Sequence, residues 1–474
     1  MNFAIVRYLI GWMLGIESIF LLLPALTAVI YGEPELPAYL IAAAISLAGA
    51  ALLCHRKPKN TRFYAREGYV TVALCWLILA VIGALPFVLS REIPFFIDAL
   101  FETVSGFTTT GATILGDVEA LSHASMLWRC LTHWVGGMGV LVFMLIVLPL
   151  AGGQTIFLMR AESPGPSVSK MSPRMRDTAT ILYAIYFGLT VLQMILLLIG
   201  GMPFFDAICV SLGTAGTGGF GNWNDSIAHY NSAYLQNVIT VFMILFGINF
   251  SAYFLILTRK FRQAFRIEEI RVYLGVIFVF AGLIAFNVRP MFGSLRESFH
   301  HALFQVASII TTTGFSTVDF DQWPTFSRAL LVLLMFIGAC AGSTGGGIKC
   351  SRILLLGKSV KKELMCLIHP RLVRVNKMDG QRVPHEVMRS INVFVVAYAF
   401  IFILSLLIIS LNCEDLVTCF TSVATTLNNV GPGLSLCGPT CNFGFFPPLS
   451  KGVLIFDMLA GRLELFPMLL LFTP

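Results

Sequence analysis

Long apolar runs recur along the whole chain and are separated by short polar segments. The first two runs cover about residues 3–31 and 36–54, with the acidic turn 32–37 between them. A run of about 20 apolar residues is long enough to cross a bilayer as a helix. The pattern predicts an all-α polytopic membrane protein in which residues 1–66 form an N-terminal pair of helices.

A shorter apolar run is repeated later in the chain, and each copy ends on a glycine. The copies read DALFETVSGFTTTG at 98–111, DAICVSLGTAGTGG at 206–219 and HALFQVASIITTTG at 301–314. These three align without a gap, and VATTLNNVG at 423–431 matches the end of the third copy at the same spacing. Each copy is too short to span a bilayer, so we predict that the chain re-enters the membrane at these four places.

The repeat organises the rest of the chain. Each unit is predicted to contain a long apolar helix, a short re-entrant helix, the glycine motif and a second long apolar helix. This order predicts about ten membrane spans and four half-helices around one central pore. The four pore repeats are assigned to residues 67–176, 177–266, 267–386 and 387–474.

Composition agrees with a membrane protein. Of 474 residues, 57% are hydrophobic and only 12% are charged, and the mean hydropathy is +0.83. A soluble domain does not need so much apolar surface. The first apolar run has no small-residue cleavage site after it and is followed by further spans, so we interpret it as a retained helix and not as a signal peptide.

Basic residues mark one side of the membrane. Most of the 32 Lys and Arg residues lie in segments 55–66, 151–176, 259–271 and 349–389, whereas most acids lie in the alternate segments. Because Lys and Arg favour cytoplasmic loops, these four segments and both termini are predicted to be cytoplasmic. The glycine motifs then lie towards the outside. The net charge of +7 thus reflects the orientation of the chain in the membrane and does not indicate nucleic-acid binding.

The glycine motifs have the chemistry of a cation filter. Glycine allows positive φ or close backbone approach, and threonine favours extended backbone. Four such segments can direct carbonyl oxygens at one axis and replace the hydration shell of a monovalent cation. Acids such as Asp98, Asp206 and Asp415 would concentrate cations at the mouth. The alternative is a set of ordinary Thr-Gly turns. The candidate filter residues are Thr109, Thr110, Gly111, Thr217, Gly218, Gly219, Thr312, Thr313, Gly314, Asn429, Val430 and Gly431.

A glycine-rich segment interrupts the second helix of the third repeat. It consists of Gly342, Ser343, Thr344, Gly345, Gly346 and Gly347. Consecutive glycines break a helix, each costing about 1 kcal/mol relative to alanine. The segment is not a phosphate-binding loop, because Ile348 separates the last glycine from Lys349. We interpret it as a mobile loop that obstructs the pore, with close helix packing as the alternative.

Arg462 lies inside the last apolar segment, where a charge is costly and usually faces a cavity or a partner. Glu464 and Asp457, two and five residues away, are poorly placed on a helix to be that partner. Snorkelling of the side chain towards the cytoplasmic interface is the alternative interpretation.

Six motifs resemble the Trk/Ktr/HKT superfamily of potassium transporters over nearly the whole chain, and most closely the TrkH-type membrane subunits of bacterial Trk systems. The extra N-terminal helix pair is also similar to the TrkH type. The motifs are TTTGAT at 108–113, TGGF at 217–220, TTTGFS at 311–316, NNVGPG at 428–433, ACAGSTGGGIK at 339–349 and GRLELF at 461–466.

The resemblance implies a function and partners. It implies K⁺ as the transported ion, with no covalent cofactor, in the bacterial inner membrane. It also implies that the glycine-rich loop gates the pore and that Arg462 points into the pore as an electrostatic barrier. The expected partners are a second copy of the chain, forming a homodimer, and a cytosolic ring of nucleotide-binding regulatory subunits of the TrkA type. The basic segments at 151–176, 259–271 and 349–389 offer these subunits a docking face.

Several alternatives remain open. The same architecture suits a Na⁺-permeable or Na⁺/H⁺-coupled symporter. A more remote alternative is an intramembrane hydrolase, but His123 and His133 are ten residues apart and no HExxH motif is present, so we do not expect an enzyme. Eleven scattered cysteines contain no CxxC pair. Cys437 and Cys441, with Cys413 nearby, could form a bridge, and free thiols are the alternative.

Overall fold

The computed structural model describes residues 2–58, 65–139, 175–371 and 375–473, which are almost entirely helical. One antiparallel hairpin pairs β1, Lys377–Met378, with β2, Gln381–Arg382. The α-helices are α1 Phe3–Tyr31, α2 Leu36–Cys54, α3 Ala65–Ser90, α4 Phe96–Phe107, α5 His123–Gly137, α6 Met175–Ile199, α7 Phe204–Gly216, α8 Ala233–Phe246, α9 Phe250–Leu257, α10 Phe261–Ala264, α11 Glu268–Val288, α12 Leu295–Ile310, α13 Thr325–Ile337, α14 Cys350–Ile368, α15 His385–Ile409, α16 Leu416–Asn428, α17 Pro448–Arg462 and α18 Phe466–Leu470.

The N-terminal pair forms as predicted. Helix α1 ends at Gly32, whose left-handed backbone (φ 69°) lets its N–H donate to the carbonyl of Ala28. Helix α2 then returns alongside α1, and the Ser46 hydroxyl donates to the Leu14 carbonyl at 2.8 Å. Tyr39 on α2 shares a 2.8 Å hydrogen bond with Ser125 on α5. These contacts hold the pair against the first pore repeat.

Six helices of the described residues are long and apolar enough to cross a membrane. They include α1, α2 and the first helix of each repeat, which are α3, α6, α11 and α15. Large apolar side chains on these helices face outwards; Phe286, for example, is 75% exposed and Phe400 is 69% exposed. Such exposure suits contact with lipid rather than water. The all-α polytopic architecture is therefore confirmed.

The predicted re-entrant helices are also present. They are α4, α7, α12 and α16, with 12, 13, 16 and 13 residues. The first turns of α12 and α16 are fixed by capping side chains. Ser294 accepts from the Glu297 N–H, and Asp415 accepts from the N–H groups of Val417 and Thr418. All four helices end at the glycine motifs.

The prediction of a second long helix in each repeat is wrong where the structure describes that helix. Helix α8 ends at Phe246 and α9 follows at an angle of 93°. Helix α13 ends at Ile337, and α17 ends at Arg462. In repeat 1, α5 ends at Gly137 and residues 140–174 lie outside the described residues. The apolar sequence continues across the break after α8, so hydropathy alone did not reveal it, whereas the glycine-rich interruption after α13 was predicted.

Two of these ends pack closely against re-entrant helices. A methyl group added at Gly136 would lie 1.8 Å from the Phe107 carbonyl oxygen, and one added at Gly461 would lie 2.1 Å from the Leu427 oxygen. Both oxygens belong to the last turn of a re-entrant helix. The second helix therefore ends where it passes directly beneath a pore helix.

The basic segments contain more structure than the predicted loops. Segment 349–389 contains α14, the β1–β2 hairpin and the start of α15. Segment 259–271 contains α10 and the first turn of α11. Segment 151–176 lies outside the described residues except for the start of α6, and residues 59–64 of the first basic segment also lie outside them.

Candidate functional site

Each re-entrant helix ends in the same backbone pattern. A non-glycine residue takes the left-handed conformation, and two residues later a glycine has positive φ. The first position is occupied by Thr109 (55°), Thr217 (53°), Thr312 (57°) and Asn429 (55°). The second is occupied by Gly111 (80°), Gly219 (81°), Gly314 (86°) and Gly431 (98°). Left-handed backbone is uncommon outside glycine, so its recurrence at equivalent positions indicates one shared local structure.

The four glycines form a closed ring. A methyl group added to any of them would collide with the carbonyl oxygen of the residue just before the glycine of the next repeat. The distance from the added methyl carbon to the carbonyl oxygen would be 2.1 Å for Gly111 and Gly218, 1.9 Å for Gly219 and Thr313, 2.5 Å for Gly314 and Val430, and 2.7 Å for Gly431 and Thr110. The last contact returns to repeat 1. The structure thus brings together all four predicted motifs in the order 1–2–3–4 around one axis.

Side chains lock neighbouring parts of the ring. The Asn429 amide donates to the Thr110 hydroxyl at 3.0 Å and to the Met458 carbonyl at 2.9 Å. Threonine hydroxyls two residues apart share hydrogen bonds of 2.8 Å in repeat 1 and in repeat 3, between Thr108 and Thr110 and between Thr311 and Thr313. Asparagine in the fourth motif therefore ties repeat 4 to repeat 1.

A cavity of about 120 Å³, on the side predicted to face outwards and therefore called the outer cavity, opens onto the ring and is lined by all four glycines. Among the described residues, no Asp or Glu lines this cavity. Asp98 pairs with Lys451 at 2.5 Å, and Asp415 caps α16. Asp206 is 8% exposed and accepts from Tyr230 at 2.7 Å. The acids expected to concentrate cations at the mouth instead hold local structure.

A buried ion pair supports the first motif. Arg129 Nε lies 2.8 Å from Glu102 Oε1, and both side chains are at most 2% exposed. Glu102 also accepts from the Thr113 hydroxyl and from the Ile114 N–H, each at 3.0 Å. Thr113 and Ile114 lie two and three residues after Gly111, the ring glycine of repeat 1. The sequence gives no local sign of this pair, because its partners lie 27 residues apart on different helices.

His133 is a support residue rather than a catalytic one. Its Nδ1 lies 2.7 Å from the Gly106 carbonyl, and its Nε2 accepts the Phe220 N–H at 3.2 Å. The imidazole therefore joins the re-entrant helix of repeat 1 to the backbone after the second glycine motif. A methyl group added at Gly218 would lie 2.2 Å from this ring. The ring also packs against Phe220, with centroids 4.2 Å apart.

The glycine-rich segment is non-helical, as predicted, and lies directly beneath the ring. The Gly346 N–H donates to the Thr312 hydroxyl at 2.6 Å. A methyl group at Gly345 would lie 2.8 Å from the Thr311 oxygen, and one at Gly346 would lie 2.4 Å from the Asn428 oxygen. These oxygens are at the C-terminal ends of α12 and α16. Only residues without a side chain fit there.

One carboxylate oxygen holds both ends of this segment. Glu269 Oε1 accepts the Ala341 N–H at 2.7 Å and the Ser351 N–H at 3.0 Å. Glu269 is 2% exposed. Within the segment, the buried Lys349 ammonium donates to the Gly345 carbonyl. Sequence analysis did not identify Glu269, for which an acid at the start of an apolar span was the available signal, and it gave Lys349 no structural role.

Arg462 joins the glycine-rich segment to repeat 1. Its Nη1 donates to the Thr344 carbonyl at 2.7 Å, and its Nη2 donates to the carbonyls of Gly136 at 2.5 Å and Gly137 at 2.8 Å. Glu464 pairs with Arg352 instead, and Asp457 accepts from Ser405. The guanidinium therefore lies beneath the ring and contacts backbone carbonyls on two sides.

The remaining candidate residues do not form a second site. His123 pairs with Glu33 at 2.8 Å and stacks on Tyr31, away from His133. The thiols of Cys437, which is buried, and Cys441, which is exposed, are free. In the part of the chain that the structure describes, no group of three or more His, Cys, Asp or Glu residues could hold a metal ion.

The chain is similar to known proteins over its whole length. The family model of TrkH, a cation transport protein, matches residues 37–279 and 276–474. The Trk system potassium uptake protein TrkH of Salmonella typhimurium is 38% identical over 100% of this chain and 99% of its own length. The TrkG protein of Escherichia coli is 33% identical over 99% of this chain and 97% of its own length.

A solved structure has the same fold. The crystal structure of the potassium transporter TrkH from Vibrio parahaemolyticus matches with a TM-score of 0.90 and 33% identity, covering 100% of this chain and 99% of that one. Together with the fourfold ring, these matches show that the chain belongs to the TrkH family of cation transport proteins.

Proposed function

We propose that this protein takes up potassium across the bacterial inner membrane through the ring of four glycine motifs. The observation that carries the proposal is the closed contact of Gly111, Gly219, Gly314 and Gly431 with successive repeats. Four equivalent backbone segments around one axis can present carbonyl oxygens to a dehydrated cation. The names of the relatives, which are potassium uptake proteins, support K⁺ as that cation.

The surrounding helices suit a cation. All four re-entrant helices end at the ring, so the partial negative charge of their C-terminal ends is directed at its lower side. The carbonyl groups of Thr311 and Asn428 at two of these ends contact the glycine-rich segment. The residues proposed to line the filter are those of the four motifs identified in the sequence.

We propose that the glycine-rich segment and Arg462 form the gate. The segment blocks the path below the ring, and its opening requires loss of the contacts to Thr312, Glu269 and Arg462. The relatives' membership of Trk systems supports control by a cytosolic nucleotide-binding subunit of the TrkA type and assembly as a homodimer. We assign both termini to the cytoplasm from the distribution of Lys and Arg.

Uptake by a bacterium that lacks its own potassium transporters tests the function. Cells carrying this chain with its cognate regulatory subunit are expected to grow at low external K⁺ and to accumulate Rb⁺, a K⁺ substitute. Excess Na⁺ should compete weakly. Na⁺ uptake equal to Rb⁺ uptake would favour the Na⁺-permeable alternative, and a requirement for Na⁺ or a proton gradient would favour a coupled symporter.

Substitution of Arg462 tests the gate. Arg462→Ala is expected to raise K⁺ flux per folded molecule about fivefold, because even about 1 kcal/mol of lost electrostatic barrier changes cation occupancy by that factor. Selectivity should stay nearly unchanged, since the ring above is intact. Arg462→Lys keeps the charge but lacks the planar guanidinium that bonds to Thr344 on one side and to Gly136 and Gly137 on the other. Its flux therefore shows how much of the barrier depends on these hydrogen bonds rather than on the charge. Lower flux in Arg462→Ala at normal protein yield would exclude a barrier role.

A further inference from the structure

A second, basic cavity lies at the start of α11, at the end of that membrane span away from the outer cavity. Its volume is about 880 Å³, and it is bounded by the start of α11, the middle of α14 and the β1–β2 hairpin. Two acids, Glu268 and Asp379, contribute to its wall. The basic residues that line it are Arg266, Arg271, Lys358, Lys361 and Lys377.

Internal contacts engage both acids and two of the cations, Lys358 and Arg271, whose Nη2 donates to the Arg266 carbonyl at 3.4 Å. Glu268 pairs with Lys358 at 2.6 Å, and Asp379 accepts the Glu268 N–H at 2.7 Å. The side chains of Arg266, Lys361 and Lys377 make no hydrogen bond or ion pair with the described residues. Like charges gathered around a cavity repel one another and raise the local concentration of anions. The excess of positive charge therefore favours an anionic ligand.

The cavity is held in shape without a ligand. Lys358 donates to the Lys377 carbonyl at 2.8 Å, which ties α14 to the hairpin. The Asp379 N–H donates to Glu268 at 3.3 Å, which ties the hairpin to α11. A preformed site loses less conformational entropy when it binds a ligand. Arginine side chains add a planar fork that matches the oxygens of a phosphate group.

The surroundings of the cavity suit a membrane interface. Glu268 is the first residue of a helix that is long and apolar enough to cross a membrane, so the cavity lies at one end of that candidate span. Immediately before Arg266, the side chains of Phe261 and Phe265 are 51% and 70% exposed. Apolar rings beside basic side chains are common where a protein surface meets a membrane interface.

We propose that this basic cavity binds a phosphate group, with Arg266, Arg271 and Lys361 as the principal contacts. The phosphate can belong to the headgroup of an anionic phospholipid or to a free phosphate compound. The two sources share the same chemistry at the site and differ in whether an acyl chain is required. The proposal concerns binding alone and does not depend on the ion that the ring conducts.

Paired variants test the site in the purified full chain. Arg266→Gln/Arg271→Gln removes two cavity cations, and Arg259→Gln/Arg262→Gln removes two nearby exposed arginines that do not line the cavity. Thermal stability is titrated in micelles of an uncharged, phosphate-free detergent with added phosphatidylglycerol, and separately with inorganic phosphate. We expect the cavity pair to weaken binding about 25-fold, since each of the two basic residues near an anionic headgroup contributes roughly fivefold. The matched pair should weaken it by less than about twofold.

A second comparison keeps the test decisive if the double variant folds poorly. Lys361→Gln removes a cavity cation, whereas Lys362→Gln removes its neighbour, which is paired with Glu363. A response to phosphatidylglycerol alone identifies a lipid headgroup as the ligand, and a response to inorganic phosphate as well identifies a free phosphate. Equal loss in the cavity and control variants, or no loss in either, would overturn the site.

Discussion

Gly219→Ala is expected to reduce K⁺ uptake per folded molecule by at least about tenfold and to remove the preference for K⁺ over Na⁺. The new methyl group would lie 1.9 Å from the Thr313 carbonyl oxygen, which is backbone and cannot rotate away. A displacement large enough to relieve this contact moves the neighbouring segment of the ring. Because a rate change of tenfold corresponds to about 1.4 kcal/mol, even a modest distortion of ion coordination reaches this size.

A matched glycine separates the ring contact from backbone strain. Gly201 has φ of 83°, close to the 81° of Gly219, yet no heavy atom lies within 4 Å of a methyl group added there. Gly201→Ala therefore carries the same cost of left-handed backbone, about 1–2 kcal/mol, without the collision. Its uptake and selectivity should stay near those of the unmodified protein. Gly314→Ser, with an approach of 2.5 Å to the Val430 oxygen, should lower selectivity in the same way as Gly219→Ala.

Shortening the glycine-rich segment should have the second largest effect on K⁺ flux. Deletion of residues 343–346 is expected to raise K⁺ flux at least about fivefold without the regulatory subunit, because it removes hydrogen bonds worth about 1 kcal/mol each to Thr312 and Arg462. The chain can be rejoined after the deletion, because Ala341 and Ser351 already lie close together. Their N–H groups both donate to the same oxygen of Glu269. Flux is measured as ⁸⁶Rb⁺ uptake into vesicles. Normal folding with unchanged flux would identify the segment as packing.

Substitutions of Glu269 provide a control that leaves the segment at full length. Glu269→Gln keeps an oxygen that can accept both N–H groups, whereas Glu269→Ala leaves two buried donors without a partner, each at a cost of about 1–3 kcal/mol. Glu269→Ala should therefore raise the flux and Glu269→Gln should change it little. Equal flux in both variants would show that the carboxylate does not restrain the gate.

The ring could be predicted because it repeats. Each of the four glycines ends a copy of the same motif, so the alignment of the copies is enough to identify them. This holds even though the second motif has Ala215 and the fourth has Asn429. The first helix of each repeat was equally predictable, because a lipid-facing helix must be apolar along its whole length. The glycine-rich break after α13 was visible for a similar local reason: consecutive glycines do not continue a helix.

The supports of the site could not be predicted, because they are contacts between distant parts of the chain. Glu269 binds backbone groups 72 and 82 residues away, and those groups carry no sequence signature. The end of α8 at Phe246 lies in apolar sequence that a continuous helix would also have. Arg462 was recognised as unusual from its apolar setting, but its partners are carbonyl groups, which every residue has.

Anomalous diffraction from crystals grown in Rb⁺ measures the ion position directly and tests the central claim. Rb⁺ replaces K⁺ and scatters strongly enough to be located. The account predicts a peak on the axis enclosed by Gly111, Gly219, Gly314 and Gly431, and loss of that peak in Gly219→Ala but not in Gly201→Ala. Rb⁺ bound elsewhere, with the ring empty in a protein that still takes up ⁸⁶Rb⁺, would contradict it.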